Sequence, residues 1–167
     1  MTLVLGGARS GKSAFAENLA ASSRLSPIYI ATAQVFEAEM RSRVDQHIKR
    51  RGNNWETVEE PDDLEGALLK NAKPGRVVLV DCLTLWITNL MMSDADVADR
   101  SDRLVEVCSK IKSPIVLVSN EVGMGIVPDN KMARDFRDHA GHLHQRLATV
   151  ARQVYLVSAG LPLTLKG

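Results

Sequence analysis

Eight residues near the start of the chain, Gly6-Gly7-Ala8-Arg9-Ser10-Gly11-Lys12-Ser13, constrain its fold more than any other stretch. Glycines at both ends of the loop let successive backbone N–H groups turn inward around an anion. A helix beginning at Lys12 adds the positive end of its dipole. The flanks supply that setting. Residues 2–5 are a short aliphatic and β-branched run that reads as a strand, and residues 12–21, rich in Ala, Glu and Leu without Gly or Pro, read as a helix. A strand, this loop and a helix in that order make a P-loop, in which Lys12 reaches the β- and γ-phosphates of a nucleoside triphosphate and the Ser13 hydroxyl ligates Mg²⁺. The competing reading is a chance match in a turn before a helix. With Gly at roughly 7% of average residues, four fixed positions seldom coincide within so short a chain.

Further along, hydrophobic runs alternate with helical patterns. Ser26-Pro27 punctuates the first helix, and Ile28-Tyr29-Ile30 reads as a buried strand ending in Ala31-Thr32-Ala33, at the edge where open α/β sheets bind ligands. Residues 35–50 read as a helix whose inner side carries Phe36, Met40 and Val44. His47 projects close to that side, with Arg43 and Arg51 one turn before and after it. Spacing alone favours a core histidine beside solvated arginines over a histidine aimed at polyphosphate. Residues 55–59 read as a short strand closed by Pro61, residues 64–69 as a helical turn and Pro74-Gly75 as a turn.

Val77-Val78-Leu79-Val80-Asp81 has the form of a Walker B strand, whose acid holds Mg²⁺ directly or through water. A buried strand ending in a helix-capping Asp is the bland alternative. Behind a P-loop, the metal role is preferred. Residues 83–92 read as a helix with Thr84, Thr88 and Asn89 available on one face, and 97–111 as a second, amphipathic helix. Residues 115–118 read as a strand, followed by a shaped loop over 119–128. Asp129 or Asn130 caps a long helix to about Val150, 154–157 is a last strand, and 163–166 a possible edge strand. The alternation predicts a three-layer α/β/α fold of P-loop NTPase type with a mostly parallel sheet.

Composition narrows the function classes. The 167 residues are 45% hydrophobic and 25% charged, ordinary for one globular domain spanning 1–167. A net charge of +1 gives none of the basic footprint of nucleic-acid binders. Cys82 and Cys108 lack CxxC spacing and read as reduced structural thiols, so a cytoplasmic protein is expected. The first strand begins at residue 2, which argues against a signal peptide. The longest apolar run, 77–92, is interrupted by Asp81, Thr84, Thr88 and Asn89 and does not read as a membrane span.

Taken together these motifs resemble the bifunctional adenosylcobinamide kinase/adenosylcobinamide-phosphate guanylyltransferase family of cobalamin biosynthesis. The likeness runs nearly the full length. It covers the P-loop, Tyr29-Ile30-Ala31-Thr32, His47 with Arg51, Trp55-Glu56-Thr57 with Glu59, and Asp81-Cys82-Leu83-Thr84 with Thr88-Asn89-Leu90. It continues through Asn120-Glu121-Val122-Gly123-Met124-Gly125-Ile126-Val127-Pro128, far more specific than any P-loop, and Arg134-Asp135-Phe136-Arg137-Asp138 with Gly141 and Gln145. Two positions depart from the family pattern: Gly52 stands where Pro is usual, and His144 where Asn is usual.

The resemblance implies that His47 is the nucleophile that becomes guanylylated, which reverses the reading from spacing. A neutral imidazole, with an unperturbed pKa of ~6.5, can attack the α-phosphorus of GTP, and the phosphoramidate splits one hard step into two. The resemblance further implies that Ala31, Thr32, Ala33, Ile48, Lys49, Arg50, Arg51, Glu59 and Asp81 line the GTP site with the loop. It implies Mg²⁺ on Ser13 and Asp81, GTP, ATP and a corrinoid as substrates, and a trimeric assembly. Glu59 is chemically suited to accept from a guanine N1–H and amino group; on its own it reads as a surface acid. Two other readings stay open: a P-loop small-molecule kinase without the guanylyltransferase step, and a non-enzymatic nucleotide-dependent switch acting through the 119–128 loop.

Overall fold

The computed structural model describes residues 1–33 and 54–167. The helix expected over 35–50, with His47, Ile48, Lys49, Arg50 and Arg51, lies outside the described residues. The described chain runs β1 (Thr2–Gly6), α1 (Lys12–Ser22), β2 (Ser26–Ala31), β3 (Glu56–Glu59), α2 (Leu64–Asn71), β4 (Arg76–Asp81), α3 (Leu83–Met92), α4 (Val97–Lys110), β5 (Ile115–Asn120), α5 (Lys131–Val150), β6 (Gln153–Ser158) and β7 (Leu161–Lys166). The seven strands form one sheet in the order β3-β2-β4-β5-β1-β6-β7. Every pairing is parallel except β6 with β7.

The central strands carry apolar residues on both sides because both faces are covered. All four aliphatics of β4, Val77 to Val80, are buried, as a parallel strand between two helical layers requires. Residues pointing one way (Leu3, Ile28, Ile30, Val78, Val80, Leu117) pack with Trp86, Leu90, Leu104, Leu143 and Leu147 from α3, α4 and α5. Residues pointing the other way (Val4, Leu79, Val116, Val118) pack with Ala16 and Ala20 of α1. Those alanines are fully buried, and their small side chains bring α1 down close to β1. Phe15 flanks them with an edge-on contact to Tyr155, ring centroids 5.1 Å apart.

Element boundaries differ from the sequence reading in ways that have physical causes. β2 begins at Ser26-Pro27, which the sequence marks as a break. Pro27 lacks an amide hydrogen, yet it is paired only with Val77 of β4, because β3 joins β2 from Ile28 onward. Helix α2 extends to Asn71, capped at its start by Asp63, whose carboxylate accepts from the Gly66 amide. β5 runs two residues further than expected, taking Ser119 and Asn120 out of the loop and into register with Leu5 and Gly6 of β1. The edge strand expected over 163–166 is a six-residue hairpin partner of β6. Asn130 does cap α5, accepting from the Ala133 amide.

Candidate active site

The loop between β1 and α1 lies at the carboxyl edge of the sheet, where β1 is flanked by β5 on one side and β6 on the other. Its conformation explains its glycines. A Cβ on Gly6 would sit 2.5 Å from both the Ser10 hydroxyl oxygen and the Val157 carbonyl oxygen. Gly11 has φ of 94°, a left-handed conformation that a side chain strains, and a Cβ there would come 3.0 Å from the Cα of Gly160. Arg9 adopts φ of 57° without being glycine. Within the loop the Ser10 amide donates to the Gly7 carbonyl at 3.3 Å. The Lys12 ammonium folds back across the loop to the same carbonyl, also at 3.3 Å.

Two groups outside the motif hold the loop in place. The Glu121 amide, just beyond β5, donates to the Gly6 carbonyl at 3.0 Å, and the Gly160 amide, in the β6–β7 turn, donates to the Ser10 carbonyl at 2.8 Å. Sequence reasoning missed both. The signal for the second was there: Ala159-Gly160 falls between two apolar runs, as a two-residue hairpin turn does, and both residues have positive φ.

The acid end of the site is a register row. Glu59, Ala31 and Asp81 are direct neighbours across β3, β2 and β4. Asp81 continues the alternation of Val77 and Leu79, so it emerges on the face that α1 covers. Asp81 ends β4 and Lys12 opens α1, both at the carboxyl edge of the sheet. Burial pushes the Cys82 thiol up to about 11; the Cys108 thiol, also buried, rises to about 12. Both cysteines are free, and neither is poised to react.

Thr32 lies at this edge too, and its side chain is engaged within the protein. It is fully buried, and its hydroxyl accepts from the Cys82 amide and donates to the Cys82 carbonyl. Ala31 and Ala33 are partly exposed beside it. The expectation that Thr84, Thr88 and Asn89 offer a free polar face is not met. Thr84 meets the Cys82 sulfur at 3.2 Å and accepts from the Asn120 amide at 2.8 Å. Thr88 donates to its own helix at Thr84. Asn89 donates to the carbonyls of Thr32 and Pro61. Thr84 is buried and Thr88 and Asn89 are partly buried, and each takes a backbone or side-chain partner. Thr84 and Asn89 thereby tie α3 to the sheet edge.

The 121–128 segment is shaped from within. The Glu121 carboxylate accepts from the Gly123 amide at 2.6 Å and the Met124 amide at 3.2 Å. Arg134 donates to the carbonyls of Pro128 and Asp129 at its far end. Met124 and Ile126 are left exposed, Ile126 almost completely. Behind the segment, His144 meets the Ser119 hydroxyl at 2.7 Å. Burial pushes its pKa down to about 4, only partly offset by the Glu121 charge.

Strand order, glycine loop, lysine and strand-end acid define a P-loop nucleotide-binding protein. Within that class, a family model described as cobinamide kinase / cobinamide phosphate guanyltransferase matches residues 2–165. The chain belongs to that family. It is 48% identical to the bifunctional adenosylcobalamin biosynthesis protein CobP of Pseudomonas aeruginosa, over 99% of this chain and 96% of the relative. It is 40% identical to the bifunctional adenosylcobalamin biosynthesis protein CobU of Escherichia coli, over 99% of each. Among solved structures, a protein from Pyrococcus horikoshii OT3 aligns with a TM-score of 0.55 at 12% identity, over 100% of this chain and 86% of that one. The P4 protein of bacteriophage phi6 in complex with ADP aligns at 0.52 and 15% identity, over 96% of this chain and 51% of that one. At such identities these two speak for the fold alone. Among the described residues no helix is long and apolar enough to cross a membrane.

Proposed function

We propose that the chain phosphorylates adenosylcobinamide from ATP or GTP and then converts the product to adenosylcobinamide-GDP with GTP, as one nucleotide-binding domain. The observation that carries this reading is the family match across residues 2–165, with a built phosphate loop at its start. In the first reaction, loop amides and Lys12 cradle the triphosphate, Lys12 exchanging its contact with the Gly7 carbonyl for phosphate oxygens. The corrinoid hydroxyl oxygen bonds to the γ-phosphorus, the bond to the β-bridging oxygen breaks, and the hydroxyl proton leaves.

In the second reaction a ring nitrogen of His47 attacks the α-phosphorus of GTP. An N–P bond forms, the bond from the α-phosphorus to the bridging oxygen breaks, and pyrophosphate departs. A phosphate oxygen of adenosylcobinamide phosphate then displaces His47, restoring the free imidazole. Glu59, at the end of β3, accepts from the guanine edge, and Arg51 offsets charge on the departing pyrophosphate. Ile48, Lys49 and Arg50 complete the pocket.

The donor set fits Mg²⁺. Among the described residues no group of three or more acidic, Cys or His side chains stands ready for a metal. Mg²⁺ rarely needs one, because it keeps several waters and is held by one or two protein groups plus substrate phosphates. Ser13 and Asp81 would hold it, and it would supply charge neutralisation across the phosphates. By likeness to its family the chain assembles as a trimer; sedimentation velocity tests that.

The test of function is GTP carrying label at the α- or the γ-phosphate, with intact-mass spectrometry. Retention of one GMP on His47 from α-label, none from γ-label, is expected. An adduct on another residue overturns the nucleophile assignment. Formation of adenosylcobinamide phosphate without any adduct leaves a plain kinase.

A further inference from the structure

We infer that the β6–β7 turn is a working part of the phosphate site, with Gly160 as the residue that positions the Gly11 amide toward the anion. The inference rests on the nucleotide reading above and adds a residue to it far outside the glycine loop.

The geometry is that of one peptide unit. In a trans peptide, the carbonyl of one residue and the N–H of the next point in opposite directions. The Ser10 carbonyl is held by the Gly160 amide at 2.8 Å, on the side of the loop that faces the hairpin. The Gly11 N–H, on the other end of that peptide, therefore points away from the hairpin. Among the described residues it meets no acceptor within the protein. A cradle for phosphate needs such an amide, unpaired inside the protein and fixed in direction before the anion arrives.

Gly160 is fitted to this task by its own backbone. It has φ of 78°, and Ala159 before it has φ of 51°, so the turn presents the Gly160 amide to the loop through a conformation that most residues strain to adopt. The approach is close: a Cβ on Gly11 would lie 3.0 Å from the Gly160 Cα. The hairpin is itself anchored, because β6 runs in register beside β1 from Thr2 to Gly6. The loop is thus fixed on both flanks, by Glu121 beyond β5 and by Gly160 beyond β6.

A Cβ added at Gly160 itself would meet nothing within 4 Å. Substitutions there consequently act through φ and not through crowding, which makes a graded test possible. Asn tolerates left-handed φ, Ala resists it and β-branched Val resists it most. The experiment uses the full chain and Mg²⁺-GTP: calorimetric affinity, melting temperature, and the ¹⁵N–¹H resonance of Gly11 for wild type, Gly160→Asn, Gly160→Ala and Gly160→Val.

The expected result is wild-type affinity within about twofold for Asn and a loss of about tenfold or more for Val, the worth of one hydrogen bond to a charged group. The Gly11 resonance should shift in the free Ala and Val variants and respond less to GTP, in spectra otherwise unchanged. If Val does not fold, Ala carries the comparison. Folded Ala and Val variants with unchanged affinity and an unmoved Gly11 resonance overturn the positioning role while leaving the nucleotide reading intact. Failure of wild type to bind GTP overturns that reading and this inference together.

Discussion

The hydroxyl of Thr32 occupies the space between the two backbone groups of Cys82, accepting from its amide at 2.9 Å and donating to its carbonyl at 2.7 Å. The Thr32 amide reaches in turn to the Asp81 carbonyl at 3.4 Å. One buried side chain thereby fixes the backbone on which Asp81 is mounted. Thr32→Val keeps the volume and removes both bonds, leaving the buried Cys82 amide unpaired while its carbonyl keeps the Trp86 amide at 3.2 Å. It should cost about 1–3 kcal/mol in chemical denaturation. Thr32→Ser should recover most of that, and equal losses for the two would assign the effect to the missing methyl.

His144 gives the fold a pH dependence with a definite sign. Its pKa is near 6.5 in the unfolded chain and about 4 in the folded protein, so between these values the unfolded state binds more protons. The stability it contributes is fully present above pH 6.5 and is lost progressively as pH falls toward 4. The loss should be on the order of 3 kcal/mol at most. His144→Asn, which keeps a polar group opposite Ser119, should flatten the stability profile in that window. A slope unchanged by the substitution would trace the effect to other groups.

The two proposed reactions should separate by mutation in one direction only. Both draw on the same phosphate loop, so Lys12→Ala should abolish phosphorylation and guanylyl transfer together. In the proposed mechanism His47 acts only at the α-phosphorus, so His47→Ala should let adenosylcobinamide phosphate accumulate while adenosylcobinamide-GDP disappears. Chromatographic product analysis on folded variants decides. Adenosylcobinamide-GDP at the wild-type rate from His47→Ala is incompatible with a covalent histidine.

Glu59 tests base recognition. If it reads the guanine edge, Glu59→Gln should weaken GTP more than ATP by about 1.5–3 kcal/mol, the worth of hydrogen bonds to a charged group. Matched losses for both nucleotides in competition binding would leave Glu59 as a surface acid ending β3.

What could be read in the sequence was what depends on local pattern. The P-loop, the aliphatic strand ending in Asp81 and the capped helix at Asn130 each carry their signal within a few residues, and all three stand where expected. The same holds for the parallel architecture, since strands alternating with helices leave few other topologies. Boundaries that depend on a neighbour were harder. Nothing local reveals that Pro27 can sit in a strand; that depends on where β3 begins. Likewise Thr32, Thr84 and Asn89 look like free polar groups in a string of letters, and only the fold brings them to Cys82, Asn120 and Pro61. The turn at Gly160 has a local signal, but its contact with Ser10, some 150 residues away, has none.

The reversed direction of β7 settles where the chain can be handled. By running back against β6, it carries Lys166 to the level of Val154, at the amino edge of the sheet. Residue 1 is at that edge as well, its carbonyl accepting from the Arg152 amide. A tether or tag attached at residue 1 or residue 166 therefore approaches the described fold from the edge opposite the phosphate loop.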